Sequence, residues 1–272
     1  MTEASAPHGF QLGGRPGDLF GGTAAYYAAY RRPYPPPVVR FLVERCGLDG
    51  RGRLLDAGCG TGQVFGVMAR YFDEVLAIDP DGEMTAYARR SATELGLDNV
   101  AVRQLRAEDV SADVGPLRAA IFGASFHWTD RPRVGDMIYD LLEPRGHLAI
   151  LSPGSVHTGT TDWEAAIRAV LVRHLGPERR AGGGLYREGE RHEQALRRTR
   201  FDKIEIVDIP VREQWSIDQM VGYLFSTSAA SKAVLGDRAE AFEQDVRRSL
   251  EQSAPGGQLE KLVEYGVILA QR

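Results

Sequence analysis

The chain has 272 residues, of which 43% are hydrophobic and 26% charged, with a formal net charge of -4. These proportions belong to a globular protein with its own core and exclude a disordered chain, while the acidic balance excludes a global field that would attract nucleic acid or anionic membrane. Two cysteines, Cys46 and Cys59, are too few for a disulfide framework or a structural zinc site, and no apolar run approaches the roughly eighteen residues of a membrane span.

Residues 1–22 are rich in Gly and Pro without apolar periodicity, which predicts a flexible arm preceding one domain over 23–272. The arm has no charged-then-apolar leader pattern, so the expected location is cytoplasmic. Thr23 to Tyr30 reads as helical before a proline-rich stop, and Val38 to Cys46 as a second helix closed by Gly47. A strict alternation follows. Arg53–Asp56, Glu74–Asp79, Asn99–Arg103, Ala119–Ala124 and His147–Leu151 read as strands. Val64, Val67, Met68 and Tyr71 mark an amphipathic helix, Gly82–Gly96 a second and Val134–Leu142 a third. Asp162–Leu175 and Glu188–Thr199 are predicted helices separated by Gly182–Gly184, and 155–200 is the candidate helical cap over the carboxyl edge of the sheet. Lys203–Gln214 and Leu262–Ala270 add two strands, with helices over Ile217–Phe225 and Asp237–Gln252. Together these predict a doubly wound, mostly parallel seven-stranded α/β sheet with helices on both faces.

The chemistry concentrates in the turn Asp56-Ala-Gly-Cys-Gly-Thr-Gly62, between a buried strand and a helix. Glycines there let the backbone approach a ligand that a Cβ would strike. A dinucleotide fingerprint would need a third glycine where Gln63 stands. Asp56 would repel a pyrophosphate and attract a cation. Asp79, at the end of the second strand, is placed to accept hydrogen bonds from both hydroxyls of a ribose. S-adenosylmethionine carries a sulfonium and an ammonium beside a ribose, and fits these features better than NAD.

These residues resemble the motifs of the class I S-adenosylmethionine-dependent methyltransferases, a Rossmann-like family. Leu54 to Gly62 is similar to their first motif, Leu76 to Asp79 to their second, Arg106 to Asp109 to the segment beside the adenine, and Leu142 to Ile150 to the turn before strand five. Tyr30 to Pro35 with Phe126-His-Trp128 resembles the small-molecule branch related to trans-aconitate methyltransferase. The likeness departs from the family at Arg118-Ala-Ala120, which lacks an acid, and at Arg145, where a glycine is common.

The resemblance implies S-adenosylmethionine as cofactor and S-adenosylhomocysteine as product. The cofactor set is Asp56, Gly58, Cys59, Gly60, Gly62, Asp79, Pro80, Met84, Ala107, Glu108, Ser125 and Phe126, with Tyr26, Tyr30 and Arg31 closing over it. Cys59 is a small turn filler rather than a nucleophile, since no base neighbours it. His127 is the candidate general base, with a pocket wall or a structural histidine as its alternatives. Tyr27, Tyr34, Trp163, Tyr186 and Trp215 are candidate acceptor walls, against the alternative that they fasten cap to core. The six histidines show no metal-ligand spacing.

The expected reaction is methyl transfer to oxygen or nitrogen of a small molecule, compatible with specialised metabolism. The alternatives are a cofactor-binding protein without methyl transfer, or one using the sulfonium to assist another reaction. A nucleic-acid substrate is disfavoured by the acidic balance and by the lack of an Asn-Pro-Pro-Tyr motif. Oligomeric state is left open.

Overall fold

The computed structural model describes residues 22–154, 156, 159–178, 180–181, 184–185 and 190–272. The expected N-terminal arm, apart from Gly22, and Tyr186 therefore lie outside the described residues.

Burial on both faces builds the centre. In β1 (Arg53–Ala57) and β2 (Glu74–Asp79), Leu54, Val75 and Ala77 face one core while Leu55, Ala57, Leu76 and Ile78 face another. Both faces of these strands are therefore covered, as a parallel sheet requires. The first core takes residues from α2 (Pro36–Cys46), α3 (Phe65–Met68) and α4 (Gly82–Glu94). The second takes them from α5 (Arg131–Leu141) and α7 (His192–Leu196). The remaining strands of the sheet are β3 (Val100–Gln104), β4 (Leu117–Gly123), β5 (Leu142–Ser152), β8 (Lys203–Ser216) and β9 (Gln258–Gln271). Their order is β3-β2-β1-β4-β5-β9-β8, with β9 antiparallel to both its neighbours. A two-residue pair, β6 (Arg180–Ala181) with β7 (Gly184–Leu185), stands apart.

The order reverses between β1 and β4. Diverging connections there open a crevice at the strands' carboxyl ends, where open α/β sheets bind ligands.

Several elements differ from the sequence expectation. The helix expected from Val64 is a four-residue α3 followed by a 3-10 turn over Ala69–Tyr71. Asn99 Nδ2 donates to the carbonyls of Ala69 and Phe72, capturing the acceptors a longer helix would use. Of the helix expected over Glu188–Thr199, the described residues from 190 onward form α7 alone, ended by Thr199 Oγ1 donating to the Leu196 carbonyl.

The largest difference concerns β8 and β9. They pair from Lys203–Gln271 to Ser216–Gln258, whereas β5 follows β9 only as far as Ser152–Gly266. Residues 209–216 and 258–265 thus continue beyond β5 as a two-stranded ribbon.

A third core lies beyond the sheet. It joins α6 (Asp162–Leu175), α8 (Ile217–Phe225) and α10 (Ala239–Ser253) through residues including Ile167, Leu224, Phe225, Phe242 and Val246. A short α9 (Lys232–Leu235) contributes Leu235, and α1 (Ala24–Tyr30) leans Tyr26 against this layer. The helices that pack together are therefore not the contiguous stretch 155–200: α7 packs on the sheet face with α5, and α8–α10 join from later in the chain. Amphipathic faces far apart in sequence find one another because each has an apolar stripe to bury. No helix among the described residues is long and apolar enough to cross a membrane.

Candidate active site

The glycine turn leaves β1 and is held from several sides. The Gly58 and Cys59 amides both donate to the Ile78 carbonyl, at 2.8 and 2.9 Å, joining the turn to β2. Asp79 Oδ2 accepts from the Gly60 amide at 2.9 Å, and Oδ1 from the Asp81 amide at 2.9 Å. Each oxygen retains a lone pair for another donor. Gly58 (φ +70°) lies against Ser125, whose Oγ donates to the Ala57 carbonyl at 2.6 Å; a Cβ on Gly58 would come within 2.4 Å of Ser125 Cβ.

Two cavities open from this turn. The first, about 830 Å³, is lined by Gly58, Gly60, Asp79, Pro80, Met84, Ala107, Glu108 and Ser125 among the expected cofactor residues. Asp81, Arg106, Trp128 and Thr129 complete its rim. Glu108 Oε1 accepts from the Asp130 amide at 3.0 Å, fastening the turn at Ala107–Asp109 to the start of α5. The second cavity, about 770 Å³, is lined by Tyr27, Arg31, Tyr34, Cys59 and Trp215 of the expected residues, and by Arg32, Glu213, Tyr223, Lys261 and Tyr265. Tyr27, Gly58, Gly123 and Ala124 border both.

Other expected residues stand elsewhere. Asp56 lines neither cavity. It is fully buried behind the turn, where Oδ2 accepts from the Phe65 amide at 3.1 Å while Oδ1 has no hydrogen-bond partner among the described residues. Burial pushes its carboxyl up to about 7, and that of Asp79 up to about 6. Gly62 is needed for backbone shape: at φ +110° its Cβ would strike the Phe65 ring, 2.4 Å away. Phe126 is fully buried, its ring centroid 4.9 Å from that of Phe122.

Tyr26 packs on Phe225 at 5.4 Å, and Tyr30 lies over Gly222; neither lines a cavity. Trp163 belongs to the third core, its Nε1 donating to the Glu260 carbonyl at 3.1 Å, in keeping with the alternative that it fastens the cap. His127 also lines neither cavity; its ring centroid is 4.5 Å from that of Trp128, which does line the first. A side chain in the short turn Phe126–Trp128 points where local packing sends it, and proximity in sequence to a strand end does not decide that direction. Cys59 is buried, with its thiol pushed above the usual range by desolvation, which suits a filler rather than a nucleophile.

The walls that sequence reasoning missed carried a signal. Along β8 the inward row reads Ile209, Val211, Glu213, Trp215, and along β9 Leu259, Lys261, Val263, Tyr265. One charged residue interrupts each apolar row, and Glu213 and Lys261 are directly cross-strand. Among the described residues no three His, Cys, Asp or Glu side chains are grouped to hold a metal ion.

Residues 54–146 match the methyltransferase domain family. A Saccharomyces cerevisiae protein described as an S-adenosylmethionine-dependent methyltransferase is 31% identical over 46% of this chain and 44% of its own length. The trans-aconitate 2-methyltransferase of Mycobacterium tuberculosis is 31% identical over 48% of each chain. The chain thus spans less than half the length of these two curated relatives. Among solved structures, one from Anaeromyxobacter dehalogenans assigned as a type II methyltransferase matches with a TM-score of 0.61 and 22% identity, covering 89% of this chain and 97% of that one. A precorrin 8w decarboxylase from Methanobacterium thermoautotrophicum matches with a TM-score of 0.52 and 16% identity over 90% and 94%. These structural likenesses concern the fold, which hosts more than one reaction.

Sheet order, glycine turn and matched domain define a Rossmann-like methyltransferase fold. Over residues 54–146 the chain is similar to the methyltransferase domain family, and its sheet order and glycine turn resemble those of the class I S-adenosylmethionine-dependent methyltransferases.

The residues fit that cofactor. Gly58, Gly60 and Ser125 bring the turn's backbone and a hydroxyl to the wall of the first cavity, and Asp79 offers lone pairs there. Asp79 contributes from the wall, and Asp56 from behind the turn, negative charge that a cationic ligand would stabilise.

Proposed function

We propose that the protein transfers the methyl group of S-adenosylmethionine to an oxygen or nitrogen atom of a small molecule. The observation that carries this reading is the junction of the two cavities at Tyr27, Gly58, Gly123 and Ala124. A cofactor in the first cavity and an acceptor in the second would meet at that border.

In this reading Gly58, Gly60, Asp79, Pro80, Met84, Ala107, Glu108 and Ser125 hold the cofactor, with Asp79 accepting from ribose hydroxyls. Asp56 acts from behind, fixing the turn through the Phe65 amide and lending its charge. Bound S-adenosylmethionine supplies an electrophilic methyl group. The chain's own residues supply alignment, which for well-oriented groups is worth about 7–11 kcal/mol of a barrier. Arg31 stiffens the acceptor wall: its guanidinium lies 4.9 Å from the Tyr27 ring centroid and 4.6 Å from that of Tyr223, while Nε donates to Ser226 Oγ at 2.8 Å. The helical layer of α6, α8, α9 and α10 serves as the cap that closes the acceptor side.

Calorimetry with S-adenosylmethionine, S-adenosylhomocysteine and NAD tests the first half of this reading; binding of NAD alone defeats it. Incubation with methyl-labelled cofactor and a panel of small hydroxyl and amine compounds tests the second. Label recovered in a small-molecule product is the expected result.

A further inference from the structure

The second cavity holds a hydrogen-bonded pair whose geometry specifies what an acceptor must offer. Tyr265 Oη donates to Glu213 Oε1 at 2.5 Å, and Trp215 Nε1 donates to Glu213 Oε2 at 2.8 Å. Tyr265 is 7% exposed, and all three residues line the cavity. The tyrosine's one hydrogen is thus committed to a carboxylate in a short charge-assisted bond, and its oxygen has only lone pairs left to present. Burial and the neighbouring Glu213 carboxylate hold the phenol above its usual range, so it stays protonated at neutral pH.

Of the cations lining the cavity, Lys261, across the strand from Glu213, lies 3.6 Å from Glu164, Arg32 donates to the Gln214 carbonyl and Gln219 Oε1, and Arg31 donates through Nε to Ser226 Oγ with its guanidinium over the Tyr27 and Tyr223 rings. An O–H donor would satisfy the Tyr265 oxygen. At that oxygen a carboxylate or an ether would meet lone pairs and no hydrogen to accept.

We propose that Tyr265, backed by Glu213, receives the hydroxyl hydrogen of the methyl acceptor, so that the cavity selects neutral hydroxyl compounds, phenols above all. The aromatic walls Tyr27, Tyr34 and Trp215 favour a flat ring. The inference rests on the methyl-transfer reading. As the acceptor oxygen bonds to the methyl carbon, the carbon–sulfur bond breaks and its electron pair goes to sulfur. The acceptor's proton passes to Tyr265 Oη while Tyr265's own proton passes to Glu213 Oε1. Glu213, half-buried at the cavity edge, then returns a proton to solvent. Glu213 is a positioning residue here, acting through Tyr265.

The test is fluorescence titration of the S-adenosylhomocysteine-loaded protein with 2-naphthol and its methyl ether. The wild-type chain is expected to prefer the naphthol by about tenfold, because the ether leaves Tyr265 without a donor. Tyr265→Phe should bring the preference to about one and Glu213→Gln to below about threefold, with ether and S-adenosylhomocysteine affinities preserved in both. A purely structural role would lower all affinities together. A wild-type preference near one, including no binding of either compound, overturns the proposal, as does a preference that survives Tyr265→Phe. Survival in Glu213→Gln alone overturns the part given to Glu213, and that variant also decides the matter if Tyr265→Phe fails to fold. Failure of the wild-type chain to bind S-adenosylhomocysteine marks instead the failure of the cofactor reading, and the proposal falls with it.

Discussion

The two sides of the cleft are built in opposite ways. The first cavity, proposed for the cofactor, uses the ends of successive parallel strands and the turns that leave them, all between Ala57 and Thr129 apart from Tyr27. The second cavity, proposed for the acceptor, is assembled largely from α1, the end of β5, α8 and the β8–β9 ribbon, and its contacts bridge long stretches of chain: Arg31 and Ser226, 195 residues apart, share a hydrogen bond. A local site constrains local residue types, so a turn with three glycines and a strand-end carboxylate is demanded by backbone geometry. A site made by distant elements constrains only the final packing. The matched methyltransferase domain follows the same division, covering 54–146 and leaving β8, β9 and the cap outside.

If that division is real, single changes on the cofactor side should remove cofactor binding, and changes on the acceptor side should spare it. The largest effect is expected from Gly58→Val. At φ +70°, with Ser125 Cβ 2.4 Å from where the new Cβ would stand, the side chain strains the turn and fills the close approach. S-adenosylhomocysteine affinity should fall more than about 100-fold, and stability by about 2–4 kcal/mol. Calorimetry and thermal unfolding measure the two; affinity within tenfold of wild type would contradict a cofactor-cradling turn.

Asp79→Ala comes next. It removes the acceptor for the Gly60 and Asp81 amides together with the expected ribose contact, and should weaken both S-adenosylmethionine and S-adenosylhomocysteine by about 1.5–3 kcal/mol. An unchanged dissociation constant would remove Asp79 from the site.

The pH response concerns the same carboxylates. Burial raises Asp56 to about 7 and Asp79 to about 6 in the folded chain, against roughly 4 when unfolded. Across that window the folded, ligand-free state holds protons that the unfolded state has released, so its stability should fall as pH rises from about 4 to 7. A cationic ligand favours the ionised carboxylates. S-adenosylmethionine should therefore bind about tenfold more tightly at about pH 8 than at about pH 5.5, with proton release on binding. S-adenosylhomocysteine, lacking the sulfonium, should respond less. Calorimetry in buffers of different ionisation enthalpy reads the protons directly, and proton uptake would reverse the sign.

Trp215→Phe tests the other side. It deletes the donor to Glu213 and reshapes the ring beneath Arg32, whose guanidinium sits 3.8 Å from the tryptophan centroid. The KM for a methylated acceptor should rise about tenfold while S-adenosylhomocysteine affinity changes less than about twofold. Equal losses in both would mean that the two walls are one cooperative unit. The smallest effect is expected at His127. Because it acts through its contact with Trp128, His127→Ala should cost at most about fivefold in cofactor affinity and leave turnover at saturation intact. A turnover loss of about 10²-fold would return it to the role of base.

The legible part of this protein was written in periodicity and backbone demand. Short, continuously apolar runs at β1 and β2 and the succession of strands and helices from Arg53 to Leu151 already imply the doubly wound sheet and the place of its crevice. Glycine spacing and the two strand-end carboxylates point to a cationic ribose-bearing ligand. Whether a residue near a strand end faces the crevice was a different matter. Asp56, Ser125, Phe126 and His127 all lie at strand ends, yet Ser125 alone of the four lines a cavity. Side-chain direction in a turn depends on which neighbours fill the space beside it. The ribbon and the redistributed cap were likewise settled only by packing. An apolar row in β8 or α10 states that it must be buried, but any complementary apolar surface can bury it, so the partner is chosen by the whole folded arrangement and not by the row itself.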